Sequence, residues 1–195
     1  MDQVVLLNEH GEACGTQDKT AAHHQDTPLH LAFSCYLFNS QDQFLLTRRA
    51  DSKKTWPGVW TNSCCGHPGL GEDMVTAVRR RLRQELGVSA TDVTLILPTF
   101  RYRARMDDGM LENEMCPVFR AWTDSEPAPD PMETAETHWV DWEPFVQQVR
   151  SGDRAVSPWC SMQITALSHC GATPKLWPRG DETQLPAACH VASGR

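Results

Sequence analysis

Apolar residues recur at two periods along the chain, and the change of period marks out the elements. Residues 4–7 (Val4, Val5, Leu6, Leu7) form a short apolar run that predicts a strand. Over 29–38 Leu29, Leu31, Phe33, Cys35 and Leu37 share one face, and 44–48 follow across the polar turn Asn39-Ser40-Gln41-Asp42, so a hairpin is predicted. The stiff aromatic stretch Trp56-Pro57-Gly58-Val59-Trp60 runs into 61–66. From 72 to 86 the period lengthens: Val75, Val78, Leu82 and Leu86 recur three or four residues apart, and Gly87 follows as a stop, which predicts a helix. Residues 93–97 predict a strand, while 100–106 alternate, turn at Asp107-Asp108-Gly109 and return as 111–122. A strand is expected over 137–141 and a short helix over 145–149. Ser157-Pro158, a cap followed by a first-turn proline, opens a helix over 159–168.

Strands and hairpins with a few inserted helices, and no internal repeat, define a mixed α+β or α/β domain over residues 1–170. After Gly171 come three prolines and little periodicity, so 171–195 read as a weakly ordered tail. A length of 195 residues fits one domain of about 150 plus an appendage. A hydrophobic share of 40 % excludes a disordered chain. No apolar run approaches about 18 residues, which excludes a membrane-spanning helix. No secretory signal is expected either, since 4–7 is too short and Asp2 stands where a basic start belongs. The eight cysteines are scattered, and free thiols in the cytoplasm are expected over disulfides. With no apolar heptad, the chain reads as a monomer.

Charge changes the picture once it is resolved along the chain. The net charge is −7, yet residues 19–105 carry an excess of five positive charges. Eleven of the 18 basic residues fall in the windows 48–54, 79–83 and 101–105. Three such clusters in an acidic protein point to a focused anion pocket. A nucleic-acid groove would come with a basic total, so nucleic acid is not expected as a partner.

Four constellations could carry chemistry. The spacing Gly66, Glu72, Arg80, Glu85, Gly87, Val88 resembles the Nudix box, in which glutamates on one helix face hold divalent metal against a diphosphate. It departs where the box calls for glutamate and this chain has Arg81 and Gln84. A hydrolase needs several acids there to gather metal and activate water; a diphosphate pocket survives the change, and Arg81 with Glu85 otherwise reads as a surface ion pair. Beside it, one of Cys64 and Cys65 reads as reactive or metal-bound and the other as a buried structural thiol. Period two puts Glu112 and Glu114 on one strand face, either outward in water or inward with a cation. Finally His23, His30 and His67 together with those carboxylates make an N/O donor set suited to Mn²⁺ or Mg²⁺, with Zn²⁺ a third option.

Taken together these pieces resemble the type 1 isopentenyl-diphosphate Δ-isomerases, which run a non-hydrolytic reaction on a Nudix-like mixed sheet sandwiched by helices. The likeness covers about residues 4–168. It rests on Leu29-His30-Leu31-Ala32-Phe33, Arg48-Arg49-Ala50, Ser52-Lys53-Lys54, Trp56 to Ser63, Cys65-Gly66-His67-Pro68, Phe100 to Ala104, Glu112-Asn113-Glu114 and Ser157-Pro158-Trp159. The resemblance implies interconversion of isopentenyl and dimethylallyl diphosphate through a tertiary carbocation. It implies Cys65 and Glu114 as the proton-transfer pair with Tyr102 assisting, and a first metal on His23, His30, His67, Glu112 and Glu114. It further implies a second ion, Mg²⁺, at Glu85 with the Cys65 carbonyl, diphosphate contacts from Lys19, Arg49, Lys53 and Arg81, and Trp159 facing the cation. A Nudix-type diphosphate hydrolase and a diphosphate-binding module without turnover are the competing readings.

Overall fold

The computed structural model describes residues 3–190; the last part of the expected tail, 191–195, lies outside the described residues. In chain order the strands and helices are β1 (Gln3–Leu7), β2 (Ala13–Asp18), α1 (Lys19–Ala22), β3 (His30–Leu31), β4 (Phe33–Phe38), β5 (Gln43–Arg49), β6 (Trp60–Thr61) and β7 (Cys64–Gly66). They continue as α2 (Met74–Leu86), β8 (Thr91–Leu97), β9 (Arg101–Arg105), β10 (Leu111–Met115), β11 (Val118–Trp122), β12 (Thr134–Asp141), α3 (Trp142–Ser151) and α4 (Pro158–Leu167).

Two mixed sheets share a continuous pair of strands. One sheet runs β2-β1-β3-β10-β9 and the other β12-β5-β4-β11-β8, with β6 added on β5 and β7 on β4. The runs 29–38 and 111–122, each expected as one strand, cross from the first sheet to the second. β3 lies parallel to β10, and beyond Ala32 and Pro117 β4 lies parallel to β11. Pro117 has no N–H to give a ladder, so the strand breaks there; its carbonyl still accepts from the Ser34 amide at 3.1 Å, while Ala32 donates to Met115 at 2.9 Å.

The alternation in 29–38 therefore separates two cores rather than core from water. Leu29, Leu31, Phe33, Cys35 and Leu37 pack with Val78, Leu82 and Leu86 of α2. Ala32, Tyr36 and Phe38 pack on the opposite side with Phe145 of α3 and Trp159, Cys160 and Ile164 of α4. Helix α2 is held where the spacing predicts: the Asp73 carboxylate accepts from the Thr76 amide, and Gly87 closes the C-terminus at φ 67°, a left-handed conformation open to glycine. Ser157 caps α4 by accepting from the Cys160 amide. β2 and α1 carry no apolar period and were not foreseen.

Over 171–190 the chain is pinned rather than loose. Trp177 is buried in the α3–α4 core, Leu185, Ala188 and Cys189 pack on the α2 core, and the Ala188 amide donates to the Gly11 carbonyl at 2.8 Å. One large indole in a polar, proline-broken segment supplies an anchor that periodicity does not register. All eight cysteines are free thiols. Among the described residues no helix is long and apolar enough to cross a membrane.

Candidate active site

The site begins at a gap between two strands. β4 and β5 pair only at Phe38 and Phe44; beyond that β7 takes the edge of β4, and β6 the edge of β5. Two side chains between β6 and β7 satisfy backbone groups there. Ser63 Oγ donates to Leu45 O at 2.7 Å and accepts from the Leu37 amide at 2.8 Å. Asn62 Nδ2 donates to Cys35 O at 3.2 Å and Cys64 O at 2.9 Å. The expected hairpin is thus a turn followed by an inserted pair of short strands.

A cavity of about 320 Å³ opens at this junction. Every residue proposed from sequence lines it except His30: Lys19, His23, Arg49, Lys53, Cys65, His67, Arg81, Glu85, Tyr102, Glu112, Glu114 and Trp159. His30 is fully buried behind it, with Nε2 3.3 Å from Glu114 Oε1. The open question over the 111–115 face is settled inward, since Glu112 and Glu114 are both buried.

Four of the five expected metal ligands converge. His23, His30, His67 and Glu114 each offer a donor atom, and these atoms lie within 4.8 Å of one another. Backbone carbonyls fix two tautomers: His23 Nδ1 bonds Lys19 O at 2.9 Å and His30 Nδ1 bonds Pro28 O at 2.9 Å. A carbonyl only accepts, so both Nδ1 atoms carry hydrogen and both Nε2 lone pairs are left for a ligand. His30 Nε2 and His67 Nδ1 are buried without a hydrogen-bond partner. Neutral imidazoles gathered around one carboxylate fit a divalent cation. Burial pushes His67 down to about 3 and lowers His23. It opposes charge on His30 as well, but the Glu114 carboxylate outweighs it and the net shift is upward. Glu112 stands apart: its Oε2 accepts from the Tyr102 hydroxyl at 2.8 Å, and burial, reinforced by the Glu114 charge, raises its pKa.

Cys64 and Cys65 are placed differently. Cys64 is buried against α2, whereas Cys65 reaches the cavity wall half-buried. Burial pushes the Cys65 thiol up to about 12, so it is protonated at neutral pH. Its Sγ donates to Asn62 Oδ1 at 3.2 Å and lies 3.4 Å from Ser34 Oγ. Trp159 Nε1 donates to the same Asn62 oxygen at 2.9 Å.

Basic residues gather in another part of the wall. Arg81 forms a buried ion pair with Glu85, one turn along α2, and approaches Glu133 Oε2 at 3.5 Å. Lys53 pairs with Glu133. Burial, followed by repulsion from Arg81 and Lys53, lowers the pKa of Lys19. Arg49 grips the Thr55 carbonyl at 2.8 Å and sits 5.9 Å from the Trp159 ring centroid. The third basic window is a surface feature, with Arg101 paired to Glu9. Sequence reasoning missed Asn62, Ser34 and Glu133. Asn62 lies inside a quoted motif and could have been weighed; Glu133 sits in a loop with no periodic or motif signal.

Comparison with known proteins assigns the class and then the family. The NUDIX domain model matches residues 28–160. Among solved structures, DR0079 from Deinococcus radiodurans superposes with a TM-score of 0.65 at 22 % identity, covering 86 % of this chain and 99 % of that one. The MutT protein of Methanosarcina mazei Go1 gives 0.57 at 17 %, covering 74 % and 96 %. The chain is a NUDIX-domain protein. Relatives named isopentenyl-diphosphate Delta-isomerase are 56 % identical in Saccharopolyspora erythraea, over the whole of both chains, and 49 % identical in Rhizobium rhizogenes, over 97 % and 91 %. A third, from Clavibacter sepedonicus, is 51 % identical over 95 % and 96 %. The chain belongs to the isopentenyl-diphosphate Delta-isomerase family.

Proposed function

We propose that this chain interconverts isopentenyl diphosphate and dimethylallyl diphosphate by a 1,3-proton shift. One proton is added to the terminal alkene carbon, C4. The C3 carbon then carries a tertiary positive charge, and a proton leaves C2 to form the new double bond. The observation that carries this reading is a thiol and a buried carboxylate, Cys65 and Glu114, facing one cavity that also holds Lys19, Arg49, Lys53 and Arg81. Cys65 comes from one sheet and Glu114 from the other, which suits proton traffic on two sides of a small alkene.

In this reading Cys65 and Glu114 exchange the two protons and the Tyr102 hydroxyl, through Glu112, orders the carboxylate side. Lys19, Arg49, Lys53 and Arg81 bind the diphosphate. Trp159 turns its ring toward the cation, an attraction of about 2 kcal/mol where water is excluded, and that exclusion also protects the cation from quenching. His23, His30, His67 and Glu114 would hold Mn²⁺ or Mg²⁺, with Zn²⁺ as the third option and Glu112, which stands apart from them, as the fifth ligand only if it turned toward the ion, and Glu85 with the Cys65 carbonyl would hold a diphosphate-bound Mg²⁺. A bound divalent ion supplies positive charge that fixes the Glu114 orientation and favours its ionised form. The expected partner is this small diphosphate, with no nucleic acid or membrane, and the protein works as a cytoplasmic monomer.

Hydrolysis is disfavoured by the same helix. α2 turns Arg81 into the cavity and leaves Gln84 exposed against Arg80, so Glu85 is the one acid of that cluster at the site. Cys65→Ala and Glu114→Gln test the reading. Each should abolish turnover while the folded protein still binds isopentenyl diphosphate; substantial activity in either variant contradicts it.

A further inference from the structure

Asn62 is fully buried, and all of its hydrogen-bonding capacity is used in a way that fixes its orientation. The Nδ2 group has two hydrogens, and two backbone carbonyls, Cys35 O and Cys64 O, take them. The oxygen must then face the other way. There it accepts from Thr61 Oγ1 at 2.9 Å, Trp159 Nε1 at 2.9 Å and Cys65 Sγ at 3.2 Å. Thr61 is held in turn by Ser157 Oγ at 2.8 Å, the cap of the helix that carries Trp159. One amide oxygen thus joins a thiol from β7 to an indole from α4.

The geometry points to Asn62 as a positioning residue that sets the Cys65 thiol rotamer and the Trp159 ring as one unit. This inference rests on the proposed roles of Cys65 and Trp159. A cysteine side chain has a single torsion to its sulfur, and each staggered rotamer places that sulfur at a different point. The oxygen selects the rotamer in which sulfur and indole address the same small space. The proton donor and the surface that receives the resulting cation are therefore registered to each other before substrate arrives. Diphosphate contacts lie on other residues, so Asn62 acts on the chemical step and leaves the grip on the charged end alone.

Steady-state kinetics and the S–H stretching band test this together. In Asn62→Ala, or in Asn62→Ser, which keeps a donor for one carbonyl, kcat should fall about 30- to 100-fold with KM changed less than about threefold. A folded variant with kcat near the parent value overturns the inference, and so does a parallel loss of kcat and substrate affinity, which marks a general structural role. The Cys65 band is identified by its loss in Cys65→Ala. In the parent protein it should lie on the low-wavenumber, hydrogen-bonded side of a free thiol, and it should move up in the Asn62 variants. A parent band at the free-thiol position overturns the inference even if no Asn62 variant folds. The underlying reading fails separately, by activity surviving in Cys65→Ala.

Discussion

Arg81 and Glu85 stand one turn apart on α2 and close a buried ion pair in the wall of the cavity. Arg81 occupies a position where the Nudix box calls for glutamate. The same helix face that would gather metal for hydrolysis instead presents a cation with one carboxylate, an arrangement suited to holding a diphosphate rather than cutting it. Removing one partner of such a pair leaves an uncompensated charge, at a cost of about 3 kcal/mol. Arg81→Gln should therefore lower stability by roughly that amount and weaken binding of inorganic diphosphate at least tenfold by calorimetric titration. Unchanged affinity would remove Arg81 from the anion site.

Metal binding should raise stability through the histidine cluster. Adding Mn²⁺ at 100 times its Kd to chelator-stripped protein should stabilise it by about 2.7 kcal/mol, read as an increase in Tm. His30→Gln, which removes the Nε2 donor behind Glu114, should abolish most of that increase. A full increase in the variant would place the ion elsewhere.

Acid should destabilise the metal-free protein, and His67 sets much of the slope. Burial holds it down to about 3, below its ordinary value of 6.5. Between those pH values the unfolded chain takes up a proton that the folded chain refuses, so stability falls as pH falls. Glu114 adds to this lower down. Burial works against its charge, but the neighbouring His30 and His67 imidazoles prevail and hold it well below 4.5, so its contribution is complete above that pH and lost on further acidification. His30 acts oppositely: its raised pKa contributes below 6.5 and is lost as pH rises through the shifted value. The Tm of metal-free protein should decline from pH 6.5 toward 4, and His67→Gln should flatten the decline. An unchanged slope would contradict the burial argument.

Much of this was readable in the sequence because local rules and tertiary packing agree. Helix α2 has its period, its Asp73 cap and its Gly87 stop, and α4 has Ser157-Pro158. The 101–105 and 111–115 hairpin has its glycine turn, with Gly109 at φ 89°. Strand crossing at Ala32 and Pro117 was not readable, since both faces of 29–38 carry large apolar residues and alternation does not say which sheet a strand joins. The site residues were found by motif, but their convergence depends on contacts across the fold. Lys19 opens α1 and His23 directly follows it, and the four residues of that helix carry no apolar period. Asn62 shows the remaining gap: its type is ordinary, and its role comes from five groups that fold around it.

Trp177 tests whether the C-terminal segment contributes to the domain. It is buried beside Phe38 and Trp142. Trp177→Ala should cost about 3 kcal/mol, measured by urea unfolding. A loss below about 0.5 kcal/mol, the range of surface substitutions, would show that the segment is dispensable.

Isopentenyl diphosphate incubated with the protein and Mg²⁺ in D₂O, followed by proton and phosphorus NMR, addresses the central claim most directly. Dimethylallyl diphosphate carrying deuterium in a methyl group, with the diphosphate intact, is the predicted result. Release of phosphate, or a substrate that binds and acquires no label, would contradict it.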